Sequence, residues 1–488
     1  MDDNYENSTG FDKGVNQLVF SSPIFLFAFL PVVYILYQLV PKLSYKNVLL
    51  AAASLIFYSF GQLHRVPLFI CSILLNYAAG LLLMSGRFRH RKAVLIAAVV
   101  ANLGILGVYK YTDFLVGNLN ALLHTDLPQP GIELPIGISF FTFQGLSYVI
   151  DVYRDKTSGS RSLLTVLLYI SFFPQLIAGP IVKYHDIAAQ ISCRSASVED
   201  AALGIRRFIV GLGKKVLISN SLGYVADAVF NNHLAAGMDF RLAWLGGICY
   251  MMQIYFDFSG YSDMAIGMGR MFGFTFKENF NYPYAALNIR DFWRRWHISL
   301  STWFKEYLYI PLGGNRMGKT RAAVNRMIVF LCTGIWHGAN WTFILWGIFH
   351  GILSALEDFG VLPAEKLCKN PMGRLLSRCY TLLCVMLLFV LFRADTAADA
   401  WTMVSSMFRF HTTVEGSILF HSLLNGSTIA MLLTSAVLSV GTAQAVNRKS
   451  GSLTMLEPLK FAGSLVILLL SIMSLSQGGF NPFIYFQF

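Results

Sequence analysis

Charge is what this sequence has least of. Of 488 residues only 13% are Asp, Glu, Lys or Arg, against 55% hydrophobic, whereas a soluble domain carries about 25% charged residues. That deficit excludes a water-facing exterior over most of the surface, so lipid must take water's place. The seven cysteines are scattered, with no CxxC pair and no Cys/His spacing of a zinc site. They read as small buried apolar residues, and no metal is expected. No G-x-S-x-G elbow, P-loop or H-E-x-x-H is present, which sets aside the hydrolase, ATPase and zinc-protease chemistries those motifs carry. No internal repeat or matched pair of interrupted helices appears, as an inverted-repeat transporter would show. The first thirteen residues are acidic and polar and lack a basic n-region, so the apolar run at 24–40 reads as a retained span.

What the sequence does have is apolar runs: 24–40, 48–60, 67–84, 93–108, 134–150, 163–182, 205–230, 242–271, 327–337, 341–356, 380–391, 419–440 and 461–475. A crossing helix takes about 20 mainly apolar residues, and several of these runs are too short or too polar to cross alone. The expected fold is an all-α polytopic membrane protein of about eleven transmembrane helices, with re-entrant and interfacial helices covered by protein or water. Residues 1–17 read as a polar N-terminal extension and 18–488 as a single membrane domain. The net charge of +12 does not point to nucleic acid, because the basic residues lie in short clusters between apolar runs. The loops at 41–46, 87–92 and 154–161 are basic and those at 1–13 and 117–133 are not, the alternation that the positive-inside rule gives. The basic loops at 316–326, 366–378 and 448–460 read as cytoplasmic on the same rule.

Three stretches break the lipid-facing pattern. Residues 291–303 contain Asp291-Phe292-Trp293-Arg294-Arg295-Trp296-His297-Ile298-Ser299, and the spacing of Phe292, Trp296, Leu300 and Trp303 predicts a helix with one aromatic face. Such a helix suits the headgroup region, and its His297 either hydrogen-bonds a carbonyl or faces a cavity. Gly334-Ile335-Trp336-His337-Gly338-Ala339-Asn340 sets an imidazole between two apolar runs. Ionisable groups at that depth are costly and face a cavity or a substrate path, unless the ring serves helix packing; the flanking glycines permit close approach of backbone or ligand. Residues 255–263 hold Asp257, Ser259 and Asp263 in an apolar run. The two carboxylates need partners, for which the arginines at 290–295 are candidates, and a buried ion pair between helices is the favoured reading. Histidine suits a base, being mostly neutral near pH 7. Residue chemistry alone gives a membrane protein with two notable histidines and leaves the reaction open.

The residues also carry a family likeness. Leu18-Val19-Phe20-Ser21-Ser22-Pro23-Ile24-Phe25, Pro135-Ile136-Gly137-Ile138-Ser139-Phe140-Phe141, Phe173-Pro174-Gln175-Leu176-Ile177-Ala178-Gly179-Pro180, the 255–263 and 291–316 stretches and Trp336-His337-Gly338 occur in that order. Together with the terminal Phe483-Ile484-Tyr485-Phe486-Gln487-Phe488, they resemble the membrane-bound O-acyltransferase (MBOAT) family, in its alginate O-acetyltransferase-like branch. The resemblance implies helices around a central funnel where donor and acceptor meet from opposite faces. It implies His337 as the residue that deprotonates the acceptor hydroxyl or aligns the transfer, and His297 as a second functional position. Trp336, Asn340, Trp296, Arg294, Arg295, Asp257 and Ser259 would then contact substrate. By the same resemblance the enzyme is an O-acetyltransferase of the cytoplasmic (inner) membrane, with membrane lipid around it and no bound cofactor. It would take acetyl groups from acetyl-CoA or an acylated intermediate. Its product would be an acetylated exopolysaccharide, or an acetyl group passed to an SGNH-hydrolase-like extracytoplasmic acetyltransferase and other polysaccharide-pathway proteins. D-alanyl transfer to teichoic acid and a non-enzymatic transporter or flippase are the alternatives.

Overall fold

The computed structural model describes residues 18–85, 90–177, 179–232, 238–362, 368, 370–441 and 457–477. The N-terminal extension, Ala178 of the 173–180 motif and the terminal 483–488 motif lie outside the described residues, as do parts of the loops at 87–92, 366–378 and 448–460. Regular structure among the described residues is helical. Backbone contacts divide the chain into two compact units, Met1–Thr112 with Pro130–Ile205 and Gly267–Phe276, and Asp113–Gln129 with Arg206–Ile266 and Lys277–Phe488.

The first unit is built from α1 (Leu30–Leu39), α2 (Leu43–Ser59), α3 (Val66–Met84), the first two-thirds of α4 (Arg91–Leu123), α5 (Ile138–Arg154), α6 (Leu163–Ser171), the short α7 (Phe173–Leu176) and α8 (Tyr184–Ser192). Small residues let its helices approach closely, as membrane helix packing requires. A Cβ on Gly80 would meet the Tyr148 ring, and one on Gly145 would meet the Asn76 amide. Asn76 and Asn102 exchange amide hydrogen bonds at 3.1 and 3.0 Å between α3 and α4. Phe25, Phe29, Phe57 and Phe173 form an aromatic cluster with centroids 5.3–6.3 Å apart.

The second unit holds the second half of α9 (Val198–Gly213), α10 (Asn220–Asn232), most of α11 (Phe240–Met271), α12 (Ile289–Arg295), α13 (Ile298–Phe304), α14 (Gly318–His337), α15 (Trp341–Asp358), α16 (Pro371–Arg393), α17 (Ala397–Phe408), α18 (Val414–Leu423), α19 (Gly426–Ser439) and α20 (Glu457–Ser476). A π-helical stretch, Lys214–Ser219, joins α9 to α10. There Lys215 Nζ lies 2.6 Å from Asp257 Oδ1, both side chains only 1% exposed, and Lys214 and Arg207 pair with Asp263 at 2.6 and 2.9 Å. The carboxylates of α11 therefore take partners from the 207–215 region and not from the arginines at 290–295. Arg290 instead pairs with Asp358, and Arg295 with Asp291, both at 2.9 Å. The reason is proximity: a Cβ on Gly211 would meet the Gly260 carbonyl, and one on Gly260 the Gly211 carbonyl. With both residues reduced to hydrogen, α9 and α11 touch along their backbones, which brings the neighbouring lysines and arginine within reach of the α11 carboxylates.

Among the described residues, four helices are long and apolar enough to cross a membrane: Leu63–Met84, Arg91–Leu123, Pro371–Arg393 and Glu457–Ser476. A fifth crossing arises if α18 and α19, bent by 68°, are one span. Only 17% of the apolar window of α4 and 11% of that of α20 is covered by protein, and the remainder faces lipid. The chain is a multi-pass membrane protein.

Candidate active site

The site is built on the α14–α15 hairpin of the second unit. Its helices approach so closely that a Cβ on Gly334 would meet the Phe343 carbonyl and one on Gly347 the Phe330 carbonyl. The glycine beside His337 thus serves backbone approach. His337 is the last residue of α14. Gly338 follows in an extended conformation with the Phe343 ring in the space a side chain would fill, so the chain turns at once. Asn340 then caps α15, its Oδ1 accepting from Thr342 N–H at 3.1 Å while its Nδ2 donates to the Asp395 carbonyl at 2.8 Å. Both ends of that amide serve the scaffold.

His297 lies where the sequence predicts continuous helix, and there the structure differs. α12 stops at Arg295, Trp296 is extended, and His297 sits in the left-handed region at φ 43°, ψ 54° before α13 begins. A non-glycine residue there is strained and persists only when its surroundings hold it. The holder is Asn279. Its Oδ1 accepts from Ser299 N–H (3.1 Å) and Ser299 Oγ (2.8 Å), and lies 3.2 Å from His297 Nδ1. Its carbonyl accepts from Ile298 N–H, and Asn281 N–H donates to the Arg295 carbonyl, both at 2.9 Å. The break therefore comes from a segment that pairs with the would-be helix in place of the next turn. The contact with Asn279 puts the ring proton on Nδ1 and makes Nε2 the lone-pair nitrogen.

Aromatic rings join the two histidines. His297 stands 6.0 Å from Trp336, Trp336 5.0 Å from His337, His337 5.2 Å from Trp346 and Trp346 4.8 Å from His350, centroid to centroid. A small cavity of about 10 Å³ is lined by Ile254, Phe258, Trp296, His337, Trp346, Phe389 and Phe392, room for roughly one water. The imidazole of His337 is 6% exposed and that of His297 1%. A neutral imidazole in such an aromatic, water-poor wall can accept a proton.

The remaining expected residues divide. Trp296 borders the cavity and Trp336 separates the two histidines. Arg294 is exposed, and Arg295 is bound to Asp291. Asp257 is held in the buried pair with Lys215. Ser259 is 3% exposed, and its Oγ has no hydrogen-bond partner among the described residues. Two residues were missed. Trp346 lines the cavity, and His350 is fully buried with its Nδ1 accepting from Trp293 Nε1–H at 3.2 Å. The signal was present: Phe349-His350-Gly351 repeats the aromatic-His-Gly order of Trp336-His337-Gly338, and Trp346 and His350 share a helix face at i, i+4.

Residues 66–360 match the membrane-bound O-acyltransferase family, and the chain belongs to that family. It is similar to the protein named "Probable alginate O-acetylase AlgI" of Azotobacter vinelandii, with 39% identity covering 96% of this chain and 100% of the relative. It is also similar to the peptidoglycan O-acetyltransferase of Helicobacter pylori, with 38% identity covering 80% of each. The teichoic acid D-alanyltransferase of Bacillus subtilis shares 30% identity over 57% of this chain and 72% of its own. The protein is a membrane O-acyltransferase.

Proposed function

We propose that this enzyme moves acetyl groups from a cytoplasmic donor, acetyl-CoA or an acylated intermediate, toward the hydroxyls of an extracellular polysaccharide, with His337 as the base. The observation that carries the role of His337 is its place at the end of α14, bordering an aromatic cavity. His337 takes the proton of the acceptor hydroxyl as that oxygen attacks the acetyl carbonyl carbon. The new C–O bond forms, the bond to the donor's leaving group breaks, and the leaving group takes the proton back from the imidazolium. His297 positions donor or acceptor through its lone-pair nitrogen, with Trp296 and Trp336 forming the wall between.

Acetyl is the acyl group of this reading because the relatives named for acetyl transfer match at 38–39% over 80–96% of the chain, against 30% over 57% for the D-alanyl relative. Alginate and peptidoglycan are the acceptors in those relatives' names, and a polysaccharide of that kind is proposed here. A permeation path through Asp257 and Asp263 is disfavoured by the ion pairs that hold both carboxylates. The reading places residues 18–488 in the cytoplasmic membrane as one functional domain with about eleven crossings. Long helices too polar for an apolar-run criterion would add to the four or five apolar spans: α11 has 32 residues, α14 has 20 and α15 has 18. Helices screened from lipid by protein need not be apolar all round. An SGNH-hydrolase-like extracytoplasmic acetyltransferase is the proposed partner. The test is the His337→Ala protein in a cell that makes the polymer. Loss of polymer O-acetyl groups with normal membrane levels of the protein supports the reading, and unchanged acetylation overturns it.

A further inference from the structure

Trp346 is the neighbour of His337 that the role proposed above leaves unused. Its side chain is 1% exposed, and it borders the same cavity as His337, ring centroids 5.2 Å apart and nearly perpendicular at 87°. Its Nε1–H has no hydrogen-bond acceptor among the described residues. Buried indole N–H groups ordinarily find an acceptor, because leaving a desolvated donor unmade is unfavourable. The cavity wall offers little in exchange: apart from His337, Trp296 and Trp346 itself it is Ile254, Phe258, Phe389 and Phe392, hydrocarbon that cannot accept a strong hydrogen bond. The cavity beside the indole has room for one oxygen-sized group, so the acceptor that fits is a single oxygen of a bound molecule.

Resting on the reading of His337 as the base, we propose that Trp346 Nε1–H binds the carbonyl oxygen of the acetyl donor and stabilises the negative charge that forms there. When the acceptor oxygen, losing its proton to His337, bonds to the carbonyl carbon, the C=O π pair moves onto the carbonyl oxygen. Collapse of that adduct returns the pair to the C=O bond and expels the donor's leaving group, which takes the proton from His337. A fixed donor in a dry aromatic wall acts most strongly on charge that exists only between these two events. His337 and Trp346 then divide the work, one accepting the proton and the other holding the oxyanion. The guest's chemistry follows: an acetyl thioester or ester, whose carbonyl is the acceptor the indole lacks.

The test replaces Trp346 in the full-length enzyme, in detergent or proteoliposomes, by phenylalanine and by 3-benzothienylalanine. The second keeps the bicyclic shape and puts sulfur where the N–H was, so it reports on the donor even where Trp346→Phe fails to fold. The expected result is a fall in kcat of about 10²–10³-fold with KM for the acetyl donor little changed. The infrared carbonyl band of a ¹³C-acetyl donor bound to the enzyme should also move to higher frequency on loss of the N–H. A benzothienylalanine enzyme with parental kcat, or with KM raised and kcat unchanged, overturns the proposal, as does an unmoved carbonyl band. His337→Ala measured beside it separates the two readings. If His337→Ala is inactive and the benzothienylalanine enzyme is parental, only the role of Trp346 falls. If His337→Ala is active, the base assignment falls with it.

Discussion

The α14–α15 hairpin carries the same three-residue order twice, Trp336-His337-Gly338 and Phe349-His350-Gly351, and the two copies have opposite fates. His337 ends its helix and borders a cavity. His350 lies inside α15, fully buried, with Trp293 donating to Nδ1 and Phe330 stacked at 6.0 Å and 19°. The glycines differ as well: Gly338 accommodates the Phe343 ring, and Gly351 accommodates the Met327 side chain. The same aromatic-His-Gly order thus gives a histidine with space beside it and a histidine used as a bolt between helices. What separates them is position along the helix, because only a terminal residue is free of the next turn's side chains.

The contrast is broken most directly at His337. His337→Ala should lower kcat/KM by about 10²–10⁴-fold, the range of a lost general base, with the melting temperature in detergent near parental. His350→Phe should do the converse: unfolding should come roughly 1–3 kcal/mol easier because Trp293 loses its acceptor, while activity per folded molecule is retained. Loss of activity in a folded His350→Phe protein would erase the distinction. Gly347→Ala should cost about 1–3 kcal/mol by forcing the hairpin apart, and a lowered kcat at intact substrate binding would show that helix spacing sets the geometry at His337. His297→Gly relieves the left-handed backbone but removes a buried ring and its contact with Asn279, so it should lose roughly 1–3 kcal/mol of stability as well as activity. Arg294→Ala, at an exposed position, should change stability by no more than ~0.5 kcal/mol.

Much of this architecture was written in the residues. The charge deficit gave the membrane, the apolar runs gave the helices, and the glycine-flanked imidazole gave His337 as a residue of interest. The break at His297 was not legible, because the aromatic spacing from Phe292 to Trp303 is a sound helical pattern. It is overridden by Asn279, whose amide and carbonyl supply the hydrogen bonds of a missing turn. The partners of Asp257 and Asp263 were misplaced for a related reason. Arginines at 290–295 are nearer in sequence than Lys215, but the Gly211–Gly260 contact decides which helices meet. His350 and Trp346 read as ordinary interior of an apolar helix until a neighbouring helix showed what faced them.

The pairing of Lys215 with Asp257 also bears on how the protein is made. Each residue alone sits on a segment that must leave water for hydrocarbon, and a lone charge at a helix centre resists insertion by about 2.5–3.5 kcal/mol on the scale of the cell's own translocation machinery. Together with Lys214, Arg207 and Asp263, the two segments carry five such charges, three positive and two negative, that pair only once α9 and α11 touch. The nascent chain therefore has reason to hold the earlier segment at the edge of the translocation channel until α11 emerges, and to release the two into lipid together.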